Sequence, residues 1–136
     1  MNSQVRIELV RTPDLTDRAP YAYASVAHDV SRLVLTAGAC PLDSEGKTVS
    51  IGDIAGQAER VMANLRVALG AAGAELTDVV KTTVYVATQN REDLLAAWEI
   101  VSRHFGAHDI PSTLLGVSVL GYRDQLVEVE AIAVLR

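Results

Sequence analysis

The chain has 136 residues, 49% of them hydrophobic and 21% charged, which suits one globular domain and excludes a disordered protein. Its net charge of −5 argues against a general nucleic-acid or anionic-membrane binder, since such proteins bind through Lys and Arg. A single cysteine, no apolar leader and no run of about 18 apolar residues predict a cytoplasmic, single-domain protein over residues 1–136.

The first half of the chain predicts three strands and one helix. Residues 5–10 alternate, residues 21–25 follow Pro20 as a short strand, and residues 32–36 form a β-type run. Asp53 is placed to cap a helix that ends near Ala72. Its apolar stripe is Ile54, Ala58, Val61, Leu65 and Leu69, with Gln57, Glu59, Arg60, Asn64 and Arg66 facing away.

The second half predicts a strand at residues 79–87, a second helix, and two further strands at 113–119 and 126–134. The helix starts at Asn90 with Asp93 and ends at Gly106. Its apolar face carries Leu94, Trp98, Val101 and Phe105.

The last strand organises the rest of the prediction. Val127, Val129, Ala131 and Ala133 point to one side, and Glu128 and Glu130 share the other with apolar neighbours. Since neither side is fully polar, the strand is predicted to lie centrally in a sheet. The order of elements predicts an α+β fold with both helices on one face, and the other face exposes apolar side chains that favour association.

Three stretches carry a family resemblance: residues 33–38 (LVLTAG), 79–85 (VVKTTVY) and 127–133 (VEVEAIA). Together with residues 52–54, Gln57, residues 64–65 and residues 71–73, they resemble the Rid family of reactive-intermediate deaminases, also called YjgF-like proteins. The likeness runs from about residue 20 to residue 134. It implies a chorismate-mutase-like, six-stranded mixed sheet that closes into a trimeric barrel. It also implies a small-molecule cleft between each pair of subunits, where enamines or imines are hydrolysed to a keto acid and ammonia without metal or organic cofactor.

The family's site residues carry over only in part. The resemblance implies that Glu128 orients the attacking water, with Tyr21 and Gly38 lining the cleft. Four other positions depart from the pattern: Ala37 replaces a serine, Trp98 an asparagine, Thr113 the carboxylate-binding arginine and Leu115 a cysteine.

The loss of the arginine makes the standard amino-acid-derived imine a poor expected substrate. A Thr hydroxyl cannot neutralise a carboxylate, and losing a charged bidentate contact costs several kcal/mol. Arg32, Arg103 or Arg123 is an alternative source of positive charge from another position or subunit.

Each candidate also has a structural alternative. Glu128 could pair with Lys81 or an arginine, and Glu130 is expected in a structural ion pair. Tyr21 could cover the sheet edge, and Trp98 could belong to the core. Cys40 is expected to be a small buried hydrophobe rather than a nucleophile.

Two functions therefore remain open at this point. One is a homotrimeric hydrolase that adds water to C=N through Glu128, and the other is a non-enzymatic ligand-binding or regulatory trimer using the same clefts. The ribonuclease activity sometimes attached to the family is disfavoured by the acidic charge and the lack of a basic aromatic face. His104 and His108 are not expected to bind a metal, since Gly106 ends the helix between them.

Overall fold

The computed structural model describes residues 5–136. The described chain contains six strands, two long helices and a single turn of 3-10 helix at Leu76–Asp78. In chain order the elements are β1 (Arg6–Val10), β2 (Ala24–His28), β3 (Arg32–Leu35), α1 (Ile54–Ala71), β4 (Val79–Ala87), α2 (Arg91–Phe105), β5 (Ser112–Val117) and β6 (Val127–Leu135). The α+β prediction is confirmed.

The larger sheet has four strands in the order β3-β6-β4-β5. It is mixed, because β4 and β5 run parallel while the other two pairs are antiparallel. β1 and β2 form a separate antiparallel pair, so the six strands are divided between two sheets rather than joined in one. β2 contacts the larger sheet through a side chain instead of a ladder, since Ser25 Oγ donates to the Val80 carbonyl at 2.7 Å.

The prediction that the last strand is central is correct, because β6 lies between β3 and β4. Its helix-facing side chains Val127, Val129 and Ala133 are fully buried. They pack with Val84 and Val86 of β4 against both helices, and this layer is the hydrophobic core. Such burial of β-branched side chains is the main source of the fold's stability.

The first helix begins where the sequence predicts. The Asp53 side chain accepts from the Gly56 amide at 3.0 Å, which caps the helix start. Gln57 departs from the prediction, because it is fully buried rather than facing away. Its amide donates to the Asp124 carbonyl and accepts from the Leu126 amide, so it joins the helix start to the turn before β6.

The strand predicted at residues 21–25 lies three residues later, at Ala24–His28. Tyr21 and Tyr23 therefore precede the strand. The Ala22 amide donates to the Asp109 carbonyl and the Tyr23 amide to the Val10 carbonyl, and these bonds fix the segment against the end of α2 and β1.

The helix-free side of the four-stranded sheet, called here the open face, is apolar and exposed. Leu33, Leu35 and Leu115 are 63%, 70% and 42% exposed. Isolated exposed leucines are common, whereas a group of them on one sheet face is a feature of surfaces that contact other molecules. Within the described residues, the helices are all too short or too polar to span a membrane.

Candidate functional site

The first cleft brings together three of the sequence-predicted site residues, Tyr21, Trp98 and Thr113. It has a volume of about 630 Å³ and is called here the aromatic cleft. The Tyr21 and Trp98 rings meet edge to face, with centroids 6.4 Å apart. Trp98 thus forms a wall of this cleft and is absent from the buried core cluster, contrary to the core alternative.

Lys81 is the one charged side chain among the described residues that line the aromatic cleft. Its Nζ donates to Thr113 Oγ1 at 2.8 Å. The contact joins β4 to β5, whose parallel register sets Thr83 opposite Thr113. The position expected to have lost its positive charge therefore has an ammonium group beside it.

The second cleft, of about 730 Å³, is lined by Ala37, Gly38 and Cys40 from the segment after β3 and by Arg60 and Asn64 from α1. It is called here the Gly38 cleft. The Asn64 side chain donates to the Cys40 and Leu42 carbonyls at 2.8 and 3.0 Å, which holds the segment against the helix.

Glu128 lies directly behind Gly38. A Cβ built on Gly38 would stand 2.1 Å from Glu128 Oε2, so only glycine leaves room for this carboxylate. The close approach follows from an irregular ladder: Leu35 pairs with Ile132, but the next bridge joins Ala39 to Val129. The extra residue on the β3 side is a bulge, which bends the backbone around the glutamate.

The two oxygens of Glu128 differ in their partners. Oε1 accepts from the Gln125 amide at 3.0 Å and from the Cys40 thiol at 3.3 Å. Among residues 5–136, no side chain or amide donates to Oε2. The carboxylate is thus fixed through one oxygen and keeps the other available for a ligand or water.

Glu128 has neither of the ionic partners weighed for it, since no Lys or Arg of the described chain forms an ion pair with it. Cys40 acts as its hydrogen-bond donor. Burial, followed by the hydrogen bond to Glu128 and its charge, raises the pKa of the Cys40 thiol to about 11. A thiol that stays protonated at neutral pH is a poor nucleophile. Cys40 is only half-buried and donates a hydrogen bond, so it is not the small buried hydrophobe that was expected.

Glu130 is not in the ion pair expected for it. It accepts a hydrogen bond from the Tyr85 hydroxyl at 2.6 Å, and no cation lies within ion-pair distance in the described structure. This hydrogen bond, followed by burial, raises the pKa of Tyr85. The expectation failed because the partner is set by strand pairing, which places Tyr85 opposite Glu128 and diagonal to Glu130.

Both clefts border the open face, but one chain keeps their key groups apart. Glu130, Thr83 and Thr113 form one row across β6, β4 and β5. Glu128 stands two residues along β6 from that row, so strand spacing places its backbone roughly 12 Å from that of Thr113. Glu128 and Thr113 therefore occupy separate positions on the open face of one chain.

Leu115 is in the same row as Tyr85 and Glu128 and lines neither cleft. Of the three arginines considered as substitutes, none lines either cleft in the described chain. Arg103 pairs with Glu99 at 2.9 Å, and Arg32 donates to the Arg136 carbonyl. In residues 5–136, His, Cys, Asp and Glu side chains form no group of three or more that could hold a metal ion.

Two residues of the candidate site, Gln125 and Lys81, were not predicted from the sequence. Gln125, only 4% exposed, donates a hydrogen bond that anchors Glu128. The sequence signal that could have identified it is a polar amide directly before an apolar strand. Lys81 was considered only as a partner for Glu128. Its contact with Thr113 depends on the parallel pairing of β4 with β5, which no local pattern reveals.

Known proteins resemble the chain over most of its length. The family model described as endoribonuclease L-PSP matches residues 15–135. A RutC family protein of Pyrococcus abyssi is 38% identical over 120 residues, which cover 87% of this chain and 92% of that protein. The 2-iminobutanoate/2-iminopropanoate deaminase of Salmonella typhimurium is 32% identical over 124 residues, covering 89% and 95%. The crystal structure of a Rid family protein of unknown function from Yersinia pestis is similar with a TM-score of 0.85 and 27% identity, covering 95% of this chain and 98% of that one.

Proposed function

Because this chain belongs to the endoribonuclease L-PSP family, the family of the Rid and YjgF-like proteins, we propose that it hydrolyses the C=N bond of an imine and releases ammonia. The observation that carries the proposal is the Glu128 carboxylate, held through Oε1 and open at Oε2 beside Gly38. The name of the Salmonella relative, an iminobutanoate deaminase, supports the same chemistry.

In this mechanism Glu128 acts as general base and then general acid toward one water molecule. Oε2 accepts a proton as the water oxygen forms a bond to the imine carbon and the C=N π electrons move to nitrogen. The carboxylic acid then returns that proton to the nitrogen. Glu128 next accepts the hydroxyl proton of the carbinolamine and passes it to the amino nitrogen. The C–N bond then breaks as the carbonyl forms, and the products are a ketone or keto acid and ammonia. An enamine enters the same route after tautomerising to the imine.

We place the reaction at the interface between subunits of a homotrimer, where the Gly38 cleft of one copy faces the aromatic cleft of the next. The roughly 12 Å between Glu128 and Thr113 in one chain supports this, since a small substrate needs both sides at once. The exposed leucines of the open face support it too, because association would bury them.

The substrate of this site differs from the standard amino-acid-derived imine. Thr113 stands at the position of the family's arginine, so the planar, bidentate carboxylate contact is missing. Tyr21 and Trp98 add an aromatic wall instead. We expect an imine with an apolar or aromatic body to be preferred over 2-iminobutanoate.

The second candidate function is a ligand-binding or regulatory trimer without turnover. The same aromatic cleft supports it, because Tyr21 and Trp98 offer stacking area whether or not chemistry follows. It predicts thermal stabilisation by aromatic small molecules in the absence of ammonia release. The family model's endoribonuclease name is not carried over, because the net charge of −5 opposes RNA binding.

The test is an ammonia-release assay on imines generated in place by an amino-acid oxidase, comparing 2-iminobutanoate with the imine of phenylpyruvate. Glu128→Gln is expected to lower turnover by roughly 100-fold or more, the scale of lost general acid–base catalysis. Glu130→Gln, on the same strand and face, is the matched control and keeps turnover. Equal rates in Glu128→Gln and the unaltered protein, above the uncatalysed background, would reject the role of Glu128. Absence of ammonia release combined with ligand-induced stabilisation would favour the second function.

A further inference from the structure

The direction of the Lys81 side chain is set by a bulge at the start of β4. Val79 pairs with Ala133 and is fully buried against the helices. The register then shifts, and Lys81 pairs with Ile132 of the open face. Residues two apart normally share a face of a strand. The bulge therefore turns Lys81 away from the core and into the aromatic cleft, as bulges near functional sites commonly do.

Within residues 5–136, Lys81 has no carboxylate within 4.0 Å of its Nζ. Its observed partner is neutral, the Thr113 hydroxyl at 2.8 Å. An ammonium has three N–H donors, so this single bond leaves donors available. The chain's other lysine, Lys47, instead lies on the surface with Nζ 3.7 Å from a Glu45 carboxylate oxygen.

The Lys81 bond also orients the threonine. Thr113 Oγ1 accepts from Lys81, so its own O–H is free to donate elsewhere. An anion entering the cleft would meet the ammonium and the hydroxyl side by side. Tyr21 and Trp98 would contact the rest of the molecule.

We infer that Lys81 and Thr113 together form an anion-binding subsite in the aromatic cleft, and that the ligand is a carboxylate with an aromatic or extended apolar body. This deepens the proposed function, since it names the substrate class of the same cleft. An ammonium is a compact point charge rather than a planar fork, so it holds the carboxylate less rigidly than an arginine does. The aromatic wall then determines which body is accepted.

The experiment measures binding of two stable probes, 3-phenylpropanoate and its neutral amide 3-phenylpropanamide, by isothermal titration calorimetry on the assembled protein. The carboxylate is expected to bind more tightly than the amide. Lys81→Met should raise the Kd of the carboxylate by roughly tenfold or more, the scale of one charged hydrogen bond, and leave that of the amide unchanged. Lys81→Arg should retain the preference, and Lys47→Met is the matched control that should change neither Kd.

The inference is overturned if neither probe binds, if both bind equally, or if Lys81→Met leaves the carboxylate Kd unchanged. Its failure is distinguishable from failure of the proposed function. Ammonia release that needs Glu128 but is indifferent to Lys81 would reject the subsite and keep the hydrolase. Carboxylate binding that needs Lys81 without any ammonia release would keep the subsite and reject the hydrolase.

Discussion

The two faces of the four-stranded sheet differ in composition and in what they do. On the helix side, Val84, Val127 and Val129 are completely buried in a dry apolar layer. The open face carries exposed leucines on β3 and β5, and Lys81, Glu128 and Glu130 on the two strands between them. The helix side therefore forms the hydrophobic core of the chain, whereas the open face leaves apolar area and charged groups outside that core.

The largest expected effect comes from placing a charge on the helix side. Val129→Asp buries a carboxylate without a partner in a fully enclosed position and should destabilise the chain by more than about 4 kcal/mol. Circular dichroism and urea unfolding measure the loss. Leu35→Asp, which changes an open-face residue, is the matched control and should keep the helical signal. A folded Val129→Asp protein would contradict the assignment of the core.

A second measurement on the same Leu35→Asp variant tests whether the open face lies between copies of the chain. Because Leu35 is 70% exposed in the single chain, its proposed burial between copies makes a charge there disruptive only to association. Light scattering should show three chains per particle for the unaltered protein and fewer for the variant. Leu15→Asp, in an exposed loop outside the sheets, serves as control. A single-chain mass for the unaltered protein would overturn the shared site.

Gly38→Ala tests whether turnover depends on the position of Glu128. The added Cβ would stand 2.1 Å from Oε2, 2.5 Å from Cδ and 2.7 Å from Cγ of Glu128, so this side chain must shift. Because the three nearest atoms all belong to that one side chain, the free energy of unfolding should fall by only about 1–3 kcal/mol. Turnover should fall by roughly 10- to 100-fold because Oε2 loses its position. Gly70→Ala, where an added Cβ meets nothing within 4 Å, is the control and should retain turnover. Undiminished kcat in Gly38→Ala would show that the close approach has no catalytic role.

The smallest effect is a change in how Cys40 titrates. The pKa of its thiol is raised from an ordinary 9.0 to about 11, first by burial and then by Glu128. Since the thiolate forms only as the pH rises through the pKa, iodoacetamide alkylation should accelerate near pH 11 rather than near pH 9. Glu128→Gln removes the neighbouring negative charge and should lower this midpoint, while burial keeps it above the ordinary value. An alkylation midpoint near 9 in the unaltered protein would contradict the Cys40–Glu128 contact.

Much of the fold was predictable because its signals are local. The alternation along β6 and the stripe of α1 both report burial directly, and Asp53 caps the helix as its residue type and position indicate. The prediction that Gln57 faces away from the core was wrong. A polar residue on a helix is expected to be exposed unless a distant backbone group binds its amide, as happens here. Its partners, Asp124 and Leu126, lie 67 and 69 residues further along the chain.

The site was predictable only where the resemblance supplied it. Glu128, Tyr21 and Gly38 were named as single positions. No local pattern could indicate that Tyr21 lines one cleft and Gly38 the other, with Glu128 behind Gly38. Lys81 beside Thr113 requires a bulge and a parallel strand pair, both of which are tertiary features. Contacts between residues far apart in the chain were thus not predictable from the sequence.

The central claim is that one copy supplies Glu128 and the next supplies the aromatic cleft, and mixed oligomers test it most directly. Glu128→Gln and Thr113→Trp, which fills the aromatic cleft, should each be inactive alone. When equal amounts are refolded together, about a quarter of the interfaces combine an intact Glu128 with an intact aromatic cleft, so about a quarter of the normal ammonia release should return. Activity no greater than the sum of the two separate variants would contradict a site shared between copies.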